Sequence, residues 1–451
     1  MDTGSQKLTK LLQLDKGKAS FKRNFTFKLF PFFTRASERA KFNNGFTPVI
    51  GVLSRHSLGL KSEYKPEDYN INLIYDKVDS VDELNEDEKN KFLKKIFDFN
   101  QIDSIKHPYI LNYYPLSETQ DKRGEIDIAL YLSEIFNLKN NAKWHEFVGN
   151  KKANNLVEKI LLESISPIPE KKENNPFTSI LNGIFIDKQD DLEFLLKHKD
   201  FALKNLDKFF AFYYFQYILQ TALNLDHIKS LKNKTQLYPL YFTLETEKLT
   251  STRLTNSKGY NQIKEVNRFV LVNENLLGYI NILINTINQN EKFYSFTDIF
   301  NLDLNKQEQL NNELKEFLAI YRDAFQKSKP LNSDLENNIL LFKEWLSEDL
   351  GNETVSRYPL SINEIGDLFF LKNRGSLGKT LTLKKDILIL LTALVVKDKK
   401  MLIKDVFVEF EKRGIYSDRY TKNEILNFYE KMNILDKKSD SGEVKYVKPV
   451  L

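Results

Sequence analysis

The stretch of this 451-residue chain with the clearest catalytic outline is Asn373-Arg374-Gly375-Ser376-Leu377-Gly378-Lys379-Thr380, which ends in the Gly-Lys-Thr of a phosphate-binding loop. Such a loop cradles phosphate oxygens on backbone N–H groups, with its Lys on the terminal phosphates and its hydroxyl on magnesium. The signature asks for Gly six residues before the Lys, where this chain has Asn373, and the 71 residues after Thr380 are too few for the remaining parallel strands. Gly124-Glu-Ile-Asp-Ile-Ala is the second candidate. Its Glu125 and Asp127 are spaced like one strand of restriction-type nucleases, whose carboxylates hold a metal ion that activates water. The adjoining acid and Lys are missing, because residues 131–139 read as an amphipathic helix. Asp187, Asp190, Asp191 and Glu193 raise the same idea and meet the same objection. The chain has no Cys, which excludes disulfides, thiolate chemistry and Cys-based zinc sites, and its five His are far apart in sequence. No catalytic residue, metal or cofactor is assigned.

What remains is cationic chemistry. Residues 372–451 carry eighteen Lys and Arg against eleven Asp and Glu, a net of +7 in a chain whose total is +5. Residues 16–62 carry ten against one, a net of +9, so the positive charge lies near the two ends and the rest is acidic. In that N-terminal stretch Lys22, Arg23, Arg35, Arg39 and Lys41 alternate with Phe21, Phe25, Phe27, Phe30, Phe32, Phe33, Phe42 and Phe46. Bases among aromatics suit phosphate neutralisation with base stacking. The alternation over residues 25–29 equally suits a strand with its Phe in the core, and an acidic protein is the competing partner for the cations.

The elements that must position the C-terminal cations are three helix signals followed by a hairpin signal over residues 382–451, the outline of a winged helix. Thr382 is the expected N-cap of the first helix, with Ile387, Leu388, Leu390, Leu391, Leu394 and Val395 on a broad apolar face. The second helix runs through Leu402, Val406, Phe407 and Phe410 to Lys412 and Arg413, and Gly414 closes it. In the third, Thr421 and Glu424 have capping-box spacing and Tyr420 and Ile425 stand as a hydrophobic staple. Its outward face then offers Arg419, Lys422, Asn423 and Asn427 to base edges and phosphates. Residues 434–438 and 444–448 read as strands of a wing made basic by Lys437, Lys438, Lys445 and Lys448. Arg374 and Lys379, with Lys384 and Lys385, would extend that surface. A winged helix also serves as a protein-docking platform, so pattern alone leaves both uses open.

Composition supports a mainly α (α+β) multidomain protein. With 41% hydrophobic and 13% aromatic residues the chain fills real cores, while only 16 Gly and 12 Pro argue against many tight turns. A mixed α/β basic region is expected over residues 1–170, a helical domain over 171–350 and the winged helix within 351–451. Residues 46–53 and 69–75 are further strand candidates, and residues 80–99 an amphipathic helix opened by a Ser80/Glu83 capping box. Residues 166–176 have linker composition. Residues 192–195, 209–225, 269–287 and 314–325 carry apolar residues round more than one face, as buried helices do, and residues 250–261 form a polar loop with Arg253 and Lys258. The first residues lack a signal-peptide pattern, and residues 209–225 are too short and too polar for a membrane span, so a soluble cytoplasmic protein without membrane contact is expected.

Asn373-Arg-Gly-Ser-Leu-Gly-Lys-Thr-Leu-Thr-Leu, Phe407-Val-Glu-Phe-Glu-Lys-Arg-Gly, Asp418-Arg-Tyr-Thr-Lys and Leu435-Asp-Lys-Lys-Ser-Asp-Ser-Gly-Glu-Val-Lys-Tyr-Val together resemble the C-terminus of the bacterial DNA phosphorothioation-dependent restriction protein DptG (DndG) family. The resemblance is sharpest over the last eighty residues. It implies a subunit of an anti-phage defence complex that attacks DNA lacking a sulfur-modified backbone, with ATPase-like and helicase-like partner subunits. It supplies no catalytic residue. The expectation is a non-catalytic subunit that binds DNA through its basic ends, or alternatively a scaffold that docks its partners without touching DNA.

Overall fold

The computed structural model describes residues 2–17, 19–21, 23–63, 107–155, 158–159, 162–163, 165, 167–181, 183–228, 234–437 and 445–451. Helices account for 58% and strands for 6%, so the mainly helical expectation holds. The elements used below are α1 (Gly4–Leu11), α2 (Thr47–Ser57), α3 (Lys122–Ile135), α4 (Ala142–Gly149), α5 (Lys188–Lys197), α6 (Lys199–Asp226), β1 (Leu240–Tyr241) and β2 (Thr243–Leu244). They continue with α7 (Tyr260–Asn267), α8 (Val270–Asn288), α9 (Leu304–Phe325), α10 (Leu335–Asp349), α11 (Leu360–Phe369), β3 (Leu371–Asn373) and β4 (Lys379–Leu383). The last are α12 (Lys385–Val396), β5 (Met401–Leu402), α13 (Ile403–Lys412), β6 (Ile415–Tyr416), α14 (Arg419–Lys431), β7 (Leu435–Lys437) and β8 (Lys445–Val447).

The fold is built round α6. Every residue from 209 to 225 in it is buried, as a helix apolar on all faces requires. Phe136 of the α3 end sits edge-on to Phe210 and Tyr213, and Phe370 stacks on Phe215 at 4.7 Å. Its polar interruptions have a use. Gln220 and Asn224 exchange paired hydrogen bonds with the backbone of Tyr238 and Gln236, at 2.8–3.0 Å, and so guide the chain into β1. A second layer is made by α8, α9 and α10, with α1 packed on α8 and α9. Helix α8 has the length and hydropathy of a membrane span, yet 72% of its apolar window is buried inside the protein, where it serves as a core helix. Apolar contacts run without a break from Leu8 to Val447.

Several local expectations are corrected. Residues 46–53 are not a strand: Pro48 sits in the first turn of α2, the helical position where a missing N–H costs nothing. Residues 25–29 form no strand beyond a single bridge, Lys28 to Phe177, and Phe25 and Phe27 instead meet Tyr279 and Phe293 edge-on. The Gly124 stretch lies in α3, so Glu125 and Asp127 do not form a nuclease-like strand, and the Glu125 carboxylate accepts from the N–H and hydroxyl of Ser117. Asp191 is equally structural. It takes a bidentate ion pair from Arg413 at 2.7 Å and the Tyr213 hydroxyl at 2.6 Å, all buried. The candidate elements at residues 69–75 and 80–99 lie outside the described residues.

The loop that ends in Lys379 and Thr380 is the turn of an antiparallel β3–β4 hairpin, with Gly375 at φ 61° and Gly378 at φ 70°. Lys379 and Thr380 lead into strand β4, where a phosphate-binding loop would open a helix. Thr382 lies inside β4 and is not an N-cap; α12 starts beyond Lys384. After α12 the chain forms β5, α13, β6, α14 and the β7–β8 pair, and the sheet order is β5-β8-β7, antiparallel throughout. Gly414 takes φ 79°, the left-handed position expected after α13. Helix α14 begins at Arg419, three residues before the expected start, because Asp418 is its N-cap and accepts the Thr421 N–H at 2.9 Å. Two parallel pairings join this region to the middle of the chain: β1 with β6, and β2 with β4.

Candidate nucleic-acid interface

Arg419, Asn423 and Asn427 are exposed on α14, on the face opposite the buried Thr421, Ile425 and Tyr429. Lys422 is half-buried, its ammonium 3.3 Å from Glu411 and over the Phe407 ring at 5.1 Å. Beside this face runs a groove of about 990 Å³, whose opposite wall is residues 246–254. Exposed Thr246, Lys248, Thr250, Thr252 and Leu254 face Arg419, Tyr420, Asn423, Glu424 and Asn427 across it.

The groove has a buried floor. Arg253 donates to Asp418 through Nε at 2.8 Å and Nη2 at 2.5 Å, to Glu247 at 3.0 Å and to Thr421 at 2.9 Å. Thr421 also donates to the Glu247 carboxylate, which accepts the Leu244 N–H as well. Arg374 then holds the same turn from outside, donating to the carbonyls of Glu247 at 2.7 Å and Leu244 at 2.9 Å. One guanidinium shared by two carboxylates leaves one negative charge, which the Arg374 guanidinium beside Glu247 offsets. Burial would raise the Asp418 carboxyl, but hydrogen bonds from Arg253 and the Thr421 N–H outweigh it and hold the group below its ordinary value. This cluster fixes the first turn of α14 to the 240s.

The other residues singled out in the sequence fall in different places. Lys437 and Lys445 stand opposite each other in the β7–β8 pair, with Lys445 half-buried, and Lys438 lies outside the described residues. Lys379 pairs with Asp367 at 2.6 Å, and Arg374 is occupied by the carbonyls above. The N-terminal cations are mostly consumed internally. Arg23 enters a buried cluster, donating to Glu274 at 3.0 Å, to the Phe32 carbonyl and to the Tyr358 hydroxyl. Arg39 is 5% exposed and bonds Glu364 and the Arg357 carbonyl, and Lys41 shares Glu364. Neither Arg23 nor Arg39 is presented to a polyanion, because each cation has an acid of the chain's own helical region as its partner. Arg35 is exposed, close to Glu38, and Lys22 lies outside the described residues.

Among the described residues no group of three or more His, Asp or Glu is arranged to hold a metal ion. Sequence reasoning singled out the polar loop at residues 250–261 with Arg253, but missed Glu247 and the start of the wall at residues 246–249. Its available signal was the alternation of buried Leu240, Phe242 and Leu244 just before them, the period of a strand. No family model matches the chain, and no curated protein matches it in sequence.

Proposed function

We propose that this chain is a non-catalytic DNA-binding and scaffolding subunit of a phosphorothioation-dependent restriction complex, acting beside ATPase-like and helicase-like partners. In this reading residues 385–451 form a winged helix with α14 as its recognition helix and β7–β8 as its wing. The observation that carries the reading is the exposed Arg419, Asn423 and Asn427 on a helix whose first turn is fixed from below by Arg253, with Lys437 and Lys445 on the neighbouring hairpin. Three helices, α12, α13 and α14, with an antiparallel sheet in the order β5-β8-β7 support the same assignment. Cations there would displace counterions from the DNA backbone, and the two amides would meet base edges.

The test is binding of the purified full chain to unmodified and phosphorothioated duplexes across a salt series, beside a variant reversing Arg419, Lys422, Lys437 and Lys438. Binding is expected to fall steeply with salt, and the variant to lose it. Each phosphate contact removed should lower the slope of log affinity on log salt by about 0.9. No binding by the intact, folded protein would refute DNA contact and favour a platform that docks its partners.

A further inference from the structure

The groove beside α14 contains a feature that duplex contact does not use. Tyr420 is 63% exposed, the most exposed aromatic side chain in the groove, and the Arg253 guanidinium lies 5.1 Å from its ring centroid. Arg253 is itself held by Asp418 and Glu247, so the ring stands on a fixed cation. Leu254, 45% exposed, adds an apolar edge to the same groove. A Tyr supported on one side and open to a groove offers a planar stacking surface, whereas a free-standing surface Tyr offers only a mobile one.

The surroundings match a nucleotide. Asn423, Glu424 and Asn427 follow Tyr420 at three, four and seven residues, and so lie along one stripe of α14. Amide and carboxylate groups in that stripe can pair with the edge of a base whose face rests on the ring. Across the groove the hydroxyls of the 246–254 wall and Lys248 offer donors to phosphate oxygens, and Arg419 does so from the α14 side. The volume of about 990 Å³ accommodates a nucleotide, since sites for small ligands run from roughly 300 to 1,000 Å³. In a duplex both faces of a base are covered by its neighbours, so a ring presented face-on takes a base that has left the stack.

We infer that the groove between α14 and residues 246–254 binds an unpaired nucleotide of a nucleic-acid strand, with its base stacked on Tyr420. The inference rests on the nucleic-acid reading above and adds the substrate form: single-stranded or locally opened DNA. It adds Tyr420, Leu254 and the 246–254 wall to the binding surface, which shares Arg419, Asn423 and Asn427 with the duplex-facing side of α14.

The experiment uses the full chain with an oligonucleotide carrying 2-aminopurine, presented as a single strand and as the matched duplex, with Tyr420→Leu and Tyr420→Phe variants. Wild-type protein is expected to quench the fluorophore in the single strand. Tyr420→Leu should weaken single-strand binding about ten-fold, the scale of one lost base–aromatic contact, with duplex binding unchanged and Tyr420→Phe close to wild type. Equal weakening on both substrates, or binding of the single strand without quenching, would overturn the site while leaving duplex binding intact as the proposed function. Failure of wild-type protein to bind either substrate would overturn both. Matched thermal unfolding of the three proteins separates loss of stacking from loss of fold.

Discussion

Replacing Arg253 by Met removes the cation that bridges two carboxylates whose side chains are 2% and 9% exposed, Glu247 and Asp418. The side chain keeps its apolar stem and loses four hydrogen bonds of 2.5–3.0 Å, to Asp418 twice, to Glu247 and to Thr421. Breaking a buried pair from one side costs about 3–5 kcal/mol, because the remaining charges stay out of water without a partner. The loss is centred on the N-cap of α14, so it should appear there first. Urea unfolding is expected to show a drop of that size. Hydrogen exchange is expected to show faster exchange at Thr421 and Lys422, whose N–H groups bond the Asp418 side chain and carbonyl. Arg253→Lys should fall between wild type and Met, since an ammonium keeps the charge but not the planar fork that bridges both acids. Adding Asp418→Asn to the Met variant should recover part of the loss. A Met variant within about 1 kcal/mol of wild type, with unchanged exchange at α14, would refute the view that this cluster sets the helix.

Asp127 gives a pH-dependent test: burial pushes its carboxyl up to about 6, despite Lys28, Arg23 and Arg123 nearby. The folded state therefore holds a proton that the unfolded state releases near pH 4, and stability falls as pH rises from about 4 through 6. Asp127→Asn should match wild type in acid and exceed it by roughly 1–3 kcal/mol at pH 8, and parallel stability curves would disprove the assignment. Gly414→Ala should lower the urea midpoint, by an amount equivalent to about 1–3 kcal/mol of unfolding free energy, since φ is 79° and the added methyl would meet the Gln216 side-chain oxygen at 2.6 Å. An unchanged midpoint would mean that the α13–β6 turn relaxes freely.

Helix α6 was legible in the sequence because a run apolar on every face has few alternatives to burial. The helices of the C-terminal region were legible from periodicity and from Gly414, although the start of α14 was not, since Asp418 and Thr421 are both good caps and only the backbone chooses between them. Residues 46–53 failed for a related reason: Pro48 breaks a strand but suits a first helical turn, and apolar runs of that length fit either state. The candidate site was half legible. Arg419, Asn423 and Asn427 follow from helix phase, but the floor depends on Arg253 meeting Asp418 165 residues later, a pairing that no local pattern encodes. Arg23 and Arg39 counted as free positive charge because charge counts are blind to partners. Glu274 and Glu364 lie 251 and 325 positions from Arg23 and Arg39, the bases they neutralise.

The parallel pairings of β1 and β2 also bear on how the protein is made. Thr243 bonds the Leu381 carbonyl, 138 positions downstream, and the β1 partner at Ile415 is farther still. At translation rates of about 5–20 residues per second, the Thr243 strand waits roughly 7–28 s after synthesis before its neighbour exists. Through that interval the helices round α6 can assemble, but the 240s present an unpaired edge and Asp191 has no arginine. The nascent chain thus passes through an obligatory half-built stage whose open edge is closed when β4 and β6 have been made. A ribosome that stops just before Arg413 releases a product with the buried Asp191 uncompensated and β1 without its β6 partner, suited to chaperone capture or degradation.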